Sequence, residues 1–282
     1  MDNRKIPQYS FYTASTMGIE AKRIDFLWKP ITQSTKKHRV DFYHLIWIKK
    51  GKLAITIDFE ELILQDNDAF LICPGQICHF DLPLSSLEAF SVLFIPDFLG
   101  EATTDAQLLH KISGCSPLKN KIIPLHNLPI HNLIEQLIHE LNKTPDEYQS
   151  IIARSCLRIL LAEIARRIPD MNSSTNKLAI RFFNEVEKHF ERLYNVNDYL
   201  PPLAVQEKTL SQAIRIAIGM TPKTYIDTRR MLEAKRLLAY SDMTIKEIAF
   251  ALGFEEATNF NKFFRKHAKI TPNSFRIKQK KE

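Results

Sequence analysis

A chain of 282 residues, 45% apolar and 25% charged, is long enough for two ordinary domains and too apolar to remain unfolded. Its 39 Lys plus Arg outweigh 32 Asp plus Glu, and the surplus is local: residues 177–282 hold twenty basic and twelve acidic groups, the preceding part nineteen and twenty. A basic module joined to a near-neutral one points to a polyanionic partner, and the longest charge-free stretch, the fourteen residues from Ile6 to Ile19, is too short and too polar to cross a bilayer.

From Val40 to Ile95 the pattern predicts short strands over Phe42 to Ile48, Lys52 to Ile57, Glu61 to Leu64, Ala69 to Cys73 and Ala89 to Ile95. Aromatic and β-branched residues fill them, and Lys50-Gly51, Asp66-Asn67 and Pro74-Gly75 supply the breaks. Short strands at about ten-residue spacing make a sandwich or a small barrel. After Pro124 the period lengthens. Leu128, Leu133, Leu137, Ile138 and Leu141 mark one amphipathic helix, and Ile151, Ile152, Leu157, Leu160, Leu161, Ile164 and Ile168 mark a second. The two either pack on the β domain or form a dimer seam. Pro169 stops the second helix, and the polar run to Asn176 reads as a linker. Cys73, Cys78, Cys115 and Cys156 include no C-x-x-C pair and are expected as reduced thiols. The N-terminus lacks the basic start and apolar run of a secretory signal, so the expected location is the cytoplasm.

The C-terminal third repeats itself at an offset of fifty residues. Leu210 falls on Phe260, Ser211 on Asn261, Gln212 on Lys262, Ile214 on Phe264, Arg215 on Arg265, Thr221-Pro222 on Thr271-Pro272 and Tyr225 on Phe275. Upstream the match slips by one residue, with Val196 on Ile245 and Leu203 on Leu252. Each copy reads as a short helix, a tight turn and a longer helix, the plan of a helix-turn-helix. In the second copy Thr244 and Glu247 make a capping box, Ile248, Ala249 and Leu252 the buried face, and Gly253 a left-handed stop. The helix that follows, from about Glu256 to His267, buries Phe260, Phe263 and Phe264. It exposes Thr258, Asn261, Lys262, Arg265 and Lys266, which suit base edges and phosphates. Lys223 to Tyr240 joins the copies as one helix, roughly 27 Å long at ~1.5 Å per residue, close to the ~34 Å between successive major-groove faces. The first copy departs at Pro201-Pro202, where the second has Phe250-Ala251. A regular helix would lose ~3 kcal/mol there, so this helix is expected to stop or bend near Leu200 and to leave a weaker first head.

Glu233-Ala234-Lys235-Arg236-Leu237-Leu238, Thr244 through Phe254, Asn259 through Lys266 and Thr271-Pro272 together resemble the DNA-binding domain of the AraC/XylS family of bacterial transcription regulators. The resemblance covers about one hundred residues. It implies seven helices with two helix-turn-helix units and places base contacts on Lys208, Ser211 and Gln212 and on Thr258, Asn261 and Lys262. Arg215, Arg265 and Lys266 are the accompanying cations. More loosely, His38 through His44 and Asp66 through His79 resemble that family's cupin-type sensor domain. Val40 stands where many members carry a second histidine, so no metal and no cofactor are expected. His38, His44 and His79 read as ligand-pocket, turn or core residues, and a small-molecule pocket would be touched by His38, Tyr43 or His79.

The expected fold class is therefore α+β in two domains: a cupin-like β-barrel with trailing helices, then an all-α domain with two helix-turn-helix units on a linker helix. The boundaries are 1–125 for the sensor, 126–168 for the helical packing or dimerisation segment, 169–176 for the linker and 177–282 for the DNA-binding domain. The function implied is sequence-specific regulation of transcription through a double-stranded DNA operator. The expected partners are a small-molecule effector, a second copy of the chain and, for an activator, RNA polymerase, with no membrane. The alternatives are a cupin-type metal enzyme with an accessory nucleic-acid domain, which lacks the histidine pair, and an architectural protein. The latter sits poorly with neutral Ser211, Gln212, Thr258 and Asn261 on the reading faces, because pure phosphate binding favours Lys and Arg.

Overall fold

The computed structural model describes residues 6, 8–9, 17–24, 37–80, 87–100, 103–113, 120–126, 129–168 and 174–280. The chain divides into two compact units: the first is residues 8–169, and the second is residues 170–282 together with Ile6, which the expected 1–125 sensor had taken in.

In the first unit the described strands form two five-stranded sheets. One runs β1 (Gln8–Tyr9), β3 (His38–Val40), β8 (Ile77–Phe80), β5 (Leu53–Ile57), β6 (Glu60–Leu64). The other runs β10 (Ile123–Pro124), β7 (Asp68–Ile72), β4 (Tyr43–Lys50), β9 (Glu88–Phe94), β2 (Ile19–Ile24). Only β1 on β3 is parallel among these pairings. The five strands expected from the pattern are all present.

The second sheet is buried on both faces, which explains its unbroken apolar runs. Strand alternation sends Ile46, Ile48, Phe70 and Ile72 into the space between the sheets, where they meet Ile55, Ile57 and Phe80. It sends Leu45, Trp47, Leu71 and Val92 the other way, onto a helical layer. That layer is α3 (Ile130–Leu141) and α4 (Gln149–Arg166), with two short helices the periodicity does not reveal, α1 (Pro96–Leu99) and α2 (Thr103–Ile112). Arg158 ties α4 to them, pairing with Asp105 at 2.7 Å and donating to the Leu99 carbonyl at 2.8 Å. Packing on the β domain thus accounts for the inward stripe of α4, which runs through Ala153, Cys156, Leu157, Leu160, Leu161 and Ile164. Ile151 and Ile152 do not belong to it: they are 60% and 37% exposed, turned off the stripe together with Ile159. Leu128 lies outside the described residues.

The segment expected as a linker needs correction at its end. Residues 169–173 lie outside the described residues, and α5 already begins at Ser174, running to His189. Ser and Thr favour the start of a helix as readily as a loop.

The second unit continues with a 3-10 turn at Val196–Tyr199, α6 (Leu200–Leu203), α7 (Glu207–Ile218), α8 (Pro222–Tyr240), α9 (Ile245–Ala251), α10 (Ala257–Ala268) and α11 (Pro272–Gln279). The first supporting helix does not stop at Leu200: the 3-10 turn passes directly into α6, with Tyr199 and Leu200 both in right-handed helical backbone, so only the helix type changes there. Pro201 and Pro202 fall in the first turn of α6, where backbone amides have no helical acceptor to lose. The prolines leave this helix packed: Tyr199 and Leu203 are buried, and the Tyr199 hydroxyl donates to the Leu193 carbonyl at 2.8 Å.

The central helix α8 buries charged side chains. Arg229, Arg230, Glu233 and Arg236 are all buried. Arg229 stacks 3.8 Å from the Phe190 ring and pairs with Glu187 at 2.8 Å, while Glu233 accepts from Arg229 at 3.3 Å and from Arg236 at 3.2 Å. Each buried charge therefore has an opposite charge or an aromatic face, the condition under which burial is tolerated.

Candidate DNA-binding interface

The repeat seen in the sequence is a repeat in space. Asn195 with Asp198, and Thr244 with Glu247, form capping boxes forty-nine residues apart. Ala204 and Gly253, at the same offset, both adopt left-handed backbone, with φ of 54° and 73°. From α7 and α10 onward the offset is fifty: both helices have twelve residues, and Thr221 and Thr271 cap the helices that follow by accepting from Thr224 and Ser274 backbone amides at 3.1 Å. The slip arises in the turn, where Phe254 and Glu255 with Gly253 fill a gap that Ala204 and Val205 fill in the first helix-turn-helix.

Each reading helix is held from behind. Leu210, Ala213 and Ile214 bury one side of α7; Phe260 and Phe264 bury the same side of α10, with Phe263 half-buried. Arg230 locks the second head to α8: its guanidinium lies 4.3 Å from the Phe254 ring and donates to the Leu252 carbonyl at 2.5 Å. Burial lowers the Arg230 pKa, with Asp227 opposing that shift. Arg276 of α11 reaches back in the same way, donating to the Leu238 and Met243 carbonyls at 3.2 and 2.6 Å. The opposite faces are open. Lys208, Gln212, Arg215, Thr258, Asn261, Lys262, Arg265 and Lys266 are exposed and Ser211 is half-buried. Among the described residues no side-chain hydrogen bond or ion pair engages any of the nine.

The three residues named for a ligand pocket do not share one. His38 points between the sheets, its Nε2 3.4 Å from the Cys78 sulfur. Tyr43 packs on the other face of its sheet, stacked on Phe94 at 5.2 Å. His79 faces away from its neighbours Cys78 and Phe80, which line the inter-sheet core. The histidine left out of that set, His44, is the one that joins His38 between the sheets. It faces inward with Ile46 and Ile48, contacts Ser91 Oγ at 2.8 Å and lies 5.7 Å from the Phe80 ring. Burial, with His38 adding its charge, pushes the His44 pKa down to about 3. His38, His44, Cys78 and Ser91 are thus polar groups set within the apolar core between the sheets. Among the described residues no three His, Cys, Asp or Glu side chains converge as a metal site.

Two reading helices fixed to one shaft, with cations and hydrogen-bonding side chains on their free faces, define a DNA-binding protein of the double helix-turn-helix class. Residues 202–278 match the profile of a helix-turn-helix domain, and residues 26–161 match that of an AraC-like ligand binding domain. The chain is similar to the HTH-type transcriptional activator RhaS of Salmonella heidelberg (strain SL476): 25% identical over 274 residues, covering 86% of this chain and 97% of that one. The RhaS of Mannheimia succiniciproducens is 24% identical over 239 residues, covering 79% and 88%. A solved structure of ToxT from Vibrio cholerae aligns over 92% of this chain and 97% of its own, at 14% identity and a TM-score of 0.44. The chain belongs to the AraC family: it is a DNA-binding transcription regulator with a ligand-binding domain.

Proposed function

We propose that α7 and α10 read two half-sites of one operator, with Lys208, Ser211 and Gln212 and Thr258, Asn261 and Lys262 at base edges and Arg215, Arg265 and Lys266 on phosphates. One observation carries this reading: nine side chains that no side-chain hydrogen bond or ion pair engages among the described residues stand on equivalent faces of two helices fifty residues apart, on the unit that holds the basic surplus. The chain acts in this reading by binding free energy, with no bond chemistry, in the cytoplasm. The relatives named as activators favour contact with RNA polymerase at the promoter. The domains proposed are a sensor to residue 125, helices to 168 and the DNA-binding unit beyond. The exposed Ile151, Ile152 and Ile159 on α4 offer an apolar face for a second copy of the chain.

The heads are unequal in this reading, because α10 offers three cations where α7 offers two and Ser211 is half-buried. Alanine at Asn261 or Lys262 is expected to weaken specific binding by roughly 1 to 3 kcal/mol each, and alanine at Ser211 or Gln212 by less. Anisotropy titrations of all four variants on one operator at one salt concentration test this. Equal or larger losses at Ser211 and Gln212 would remove the inequality.

The effector is received between the sheets, against His38, His44, Cys78 and Ser91. Both tryptophans, Trp28 and Trp47, belong to the first unit, so their fluorescence follows that unit alone. A bound effector is expected to raise the tryptophan-reported melting temperature by mass action. A metabolite screen in which hits stabilise only the second unit, followed by circular dichroism, would refute this placement.

A further inference from the structure

Ile216 is 61% exposed, the most exposed large apolar side chain described in the second unit, ahead of Phe250 and Ile277 at 50%. A single exposed isoleucine needs no explanation on a general surface. This one stands on a face otherwise made for a polyanion. Lys208, Gln212 and Ile216 follow one another at i, i+4 spacing along α7, one row of neighbouring side chains. In the repeat the same row of α10 is Thr258, Lys262 and Lys266, so the first head has isoleucine where the second has a cation. Just beyond it Gly219 ends α7 with φ of +74°, and a side chain there would meet nothing within 4 Å. The end of the row is thus open to a large partner.

We propose that Ile216 is a specificity residue that contacts the 5-methyl group of a thymine. This rests on the reading of α7 as a DNA-contacting helix. In the major groove the thymine methyl is the apolar feature that a branched side chain can recognise. Phosphate contact is the alternative use of this row, and isoleucine forgoes it. Ile216 lies roughly 12 Å along the helix from Lys208. Its thymine therefore sits roughly three to four base pairs from the Lys208 contact, at the far end of the first half-site.

The test uses the full chain and a duplex that it selects from a randomised pool. Each thymine is replaced singly by deoxyuridine, which removes only the methyl group, and affinities are measured for the wild type, Ile216→Ala and Gln212→Ala. Ile216 is exposed, so its replacement leaves the fold intact. The wild type is expected to lose about fourfold at one thymine of the first half-site, the worth of one buried methyl-sized group, and Ile216→Ala to lose nothing further there. Ile216→Lys is expected to steepen the salt dependence by about one unit of slope and to relax the choice at that position. Identical deoxyuridine losses in the wild type and Ile216→Ala, or a selected half-site without thymine, would overturn the proposal. If Gln212→Ala weakens binding while the methyl effect is uncoupled from Ile216, the reading of α7 stands and only the methyl contact falls. If neither substitution changes affinity, α7 does not read DNA and both fall.

Discussion

Replacing Gly253 with alanine is expected to cost the second unit roughly 2 to 5 kcal/mol and to abolish reading by α10. Two effects combine. At φ of +73° a side chain pays about 1–2 kcal/mol for left-handed backbone. The added Cβ would also press into the carbonyl oxygen of Glu191, which is backbone and cannot rotate away; overpacking of this kind costs about 1–3 kcal/mol. Gly219 supplies the control, since its φ of +74° is the same and open space surrounds it, so Gly219→Ala should show the backbone cost alone. Thermal melts by circular dichroism with operator binding by anisotropy separate the two. Equal destabilisation by both substitutions would mean that the approach of the α9–α10 turn to Glu191 relaxes freely. Ala204 shows that the conformation itself is tolerable in the first head, where φ is 54°.

Acidification is expected to weaken the first unit through His44. Its pKa in the folded chain, about 3, lies below the ~6.5 of an unfolded chain. The unfolded state therefore takes up the proton first: stability is intact above pH 6.5 and falls as the pH drops toward 3. At pH 5 the loss comes to roughly 1–2 kcal/mol, the side chain retaining some accessible surface. His44→Gln keeps a hydrogen-bonding group beside Ser91 and removes the titration. Urea unfolding followed by tryptophan fluorescence at pH 7.5 and pH 5 should show a smaller acid loss in the variant. Parallel losses in both proteins would assign the acid sensitivity to other groups.

The sequence was most legible where one signal sufficed. The capping box of Thr244 and Glu247, the stop at Gly253 and the buried Phe260 and Phe264 lie where their spacing puts them. So do the strands with apolar runs. β2 stayed hidden because Glu20, Lys22 and Arg23 interrupt its pattern, and β1 and β10 because two residues have no period. The buried Arg229, Arg230 and Arg236 were unreadable for another reason: periodicity counts a charge as exposed, and only the folded chain supplies Phe190, Phe254 and Glu233 beside them. Of the residues named for a pocket, Tyr43 lies on the other face of its sheet through parity. Tyr43 and His44 are adjacent, and one step along a strand changes the face, so Tyr43 points to the helices and His44 points inward.

The buried charges of α8 have a consequence for how the two heads cooperate. A flexible tether would let the second head search, and its effective concentration at the neighbouring half-site would fall slowly as the spacing varied. Here the shaft is pinned on one side by Arg229 to Glu187 of α5 and on the other by Arg230 to the Leu252 carbonyl and Arg276 to the Leu238 carbonyl. The second head is therefore delivered at one distance and one rotational phase. If both heads read one operator as proposed, the second head's local concentration would be high for a half-site in that phase and negligible for one shifted by half a helical turn, and the protein would measure the interval between two short words as strictly as it reads the words.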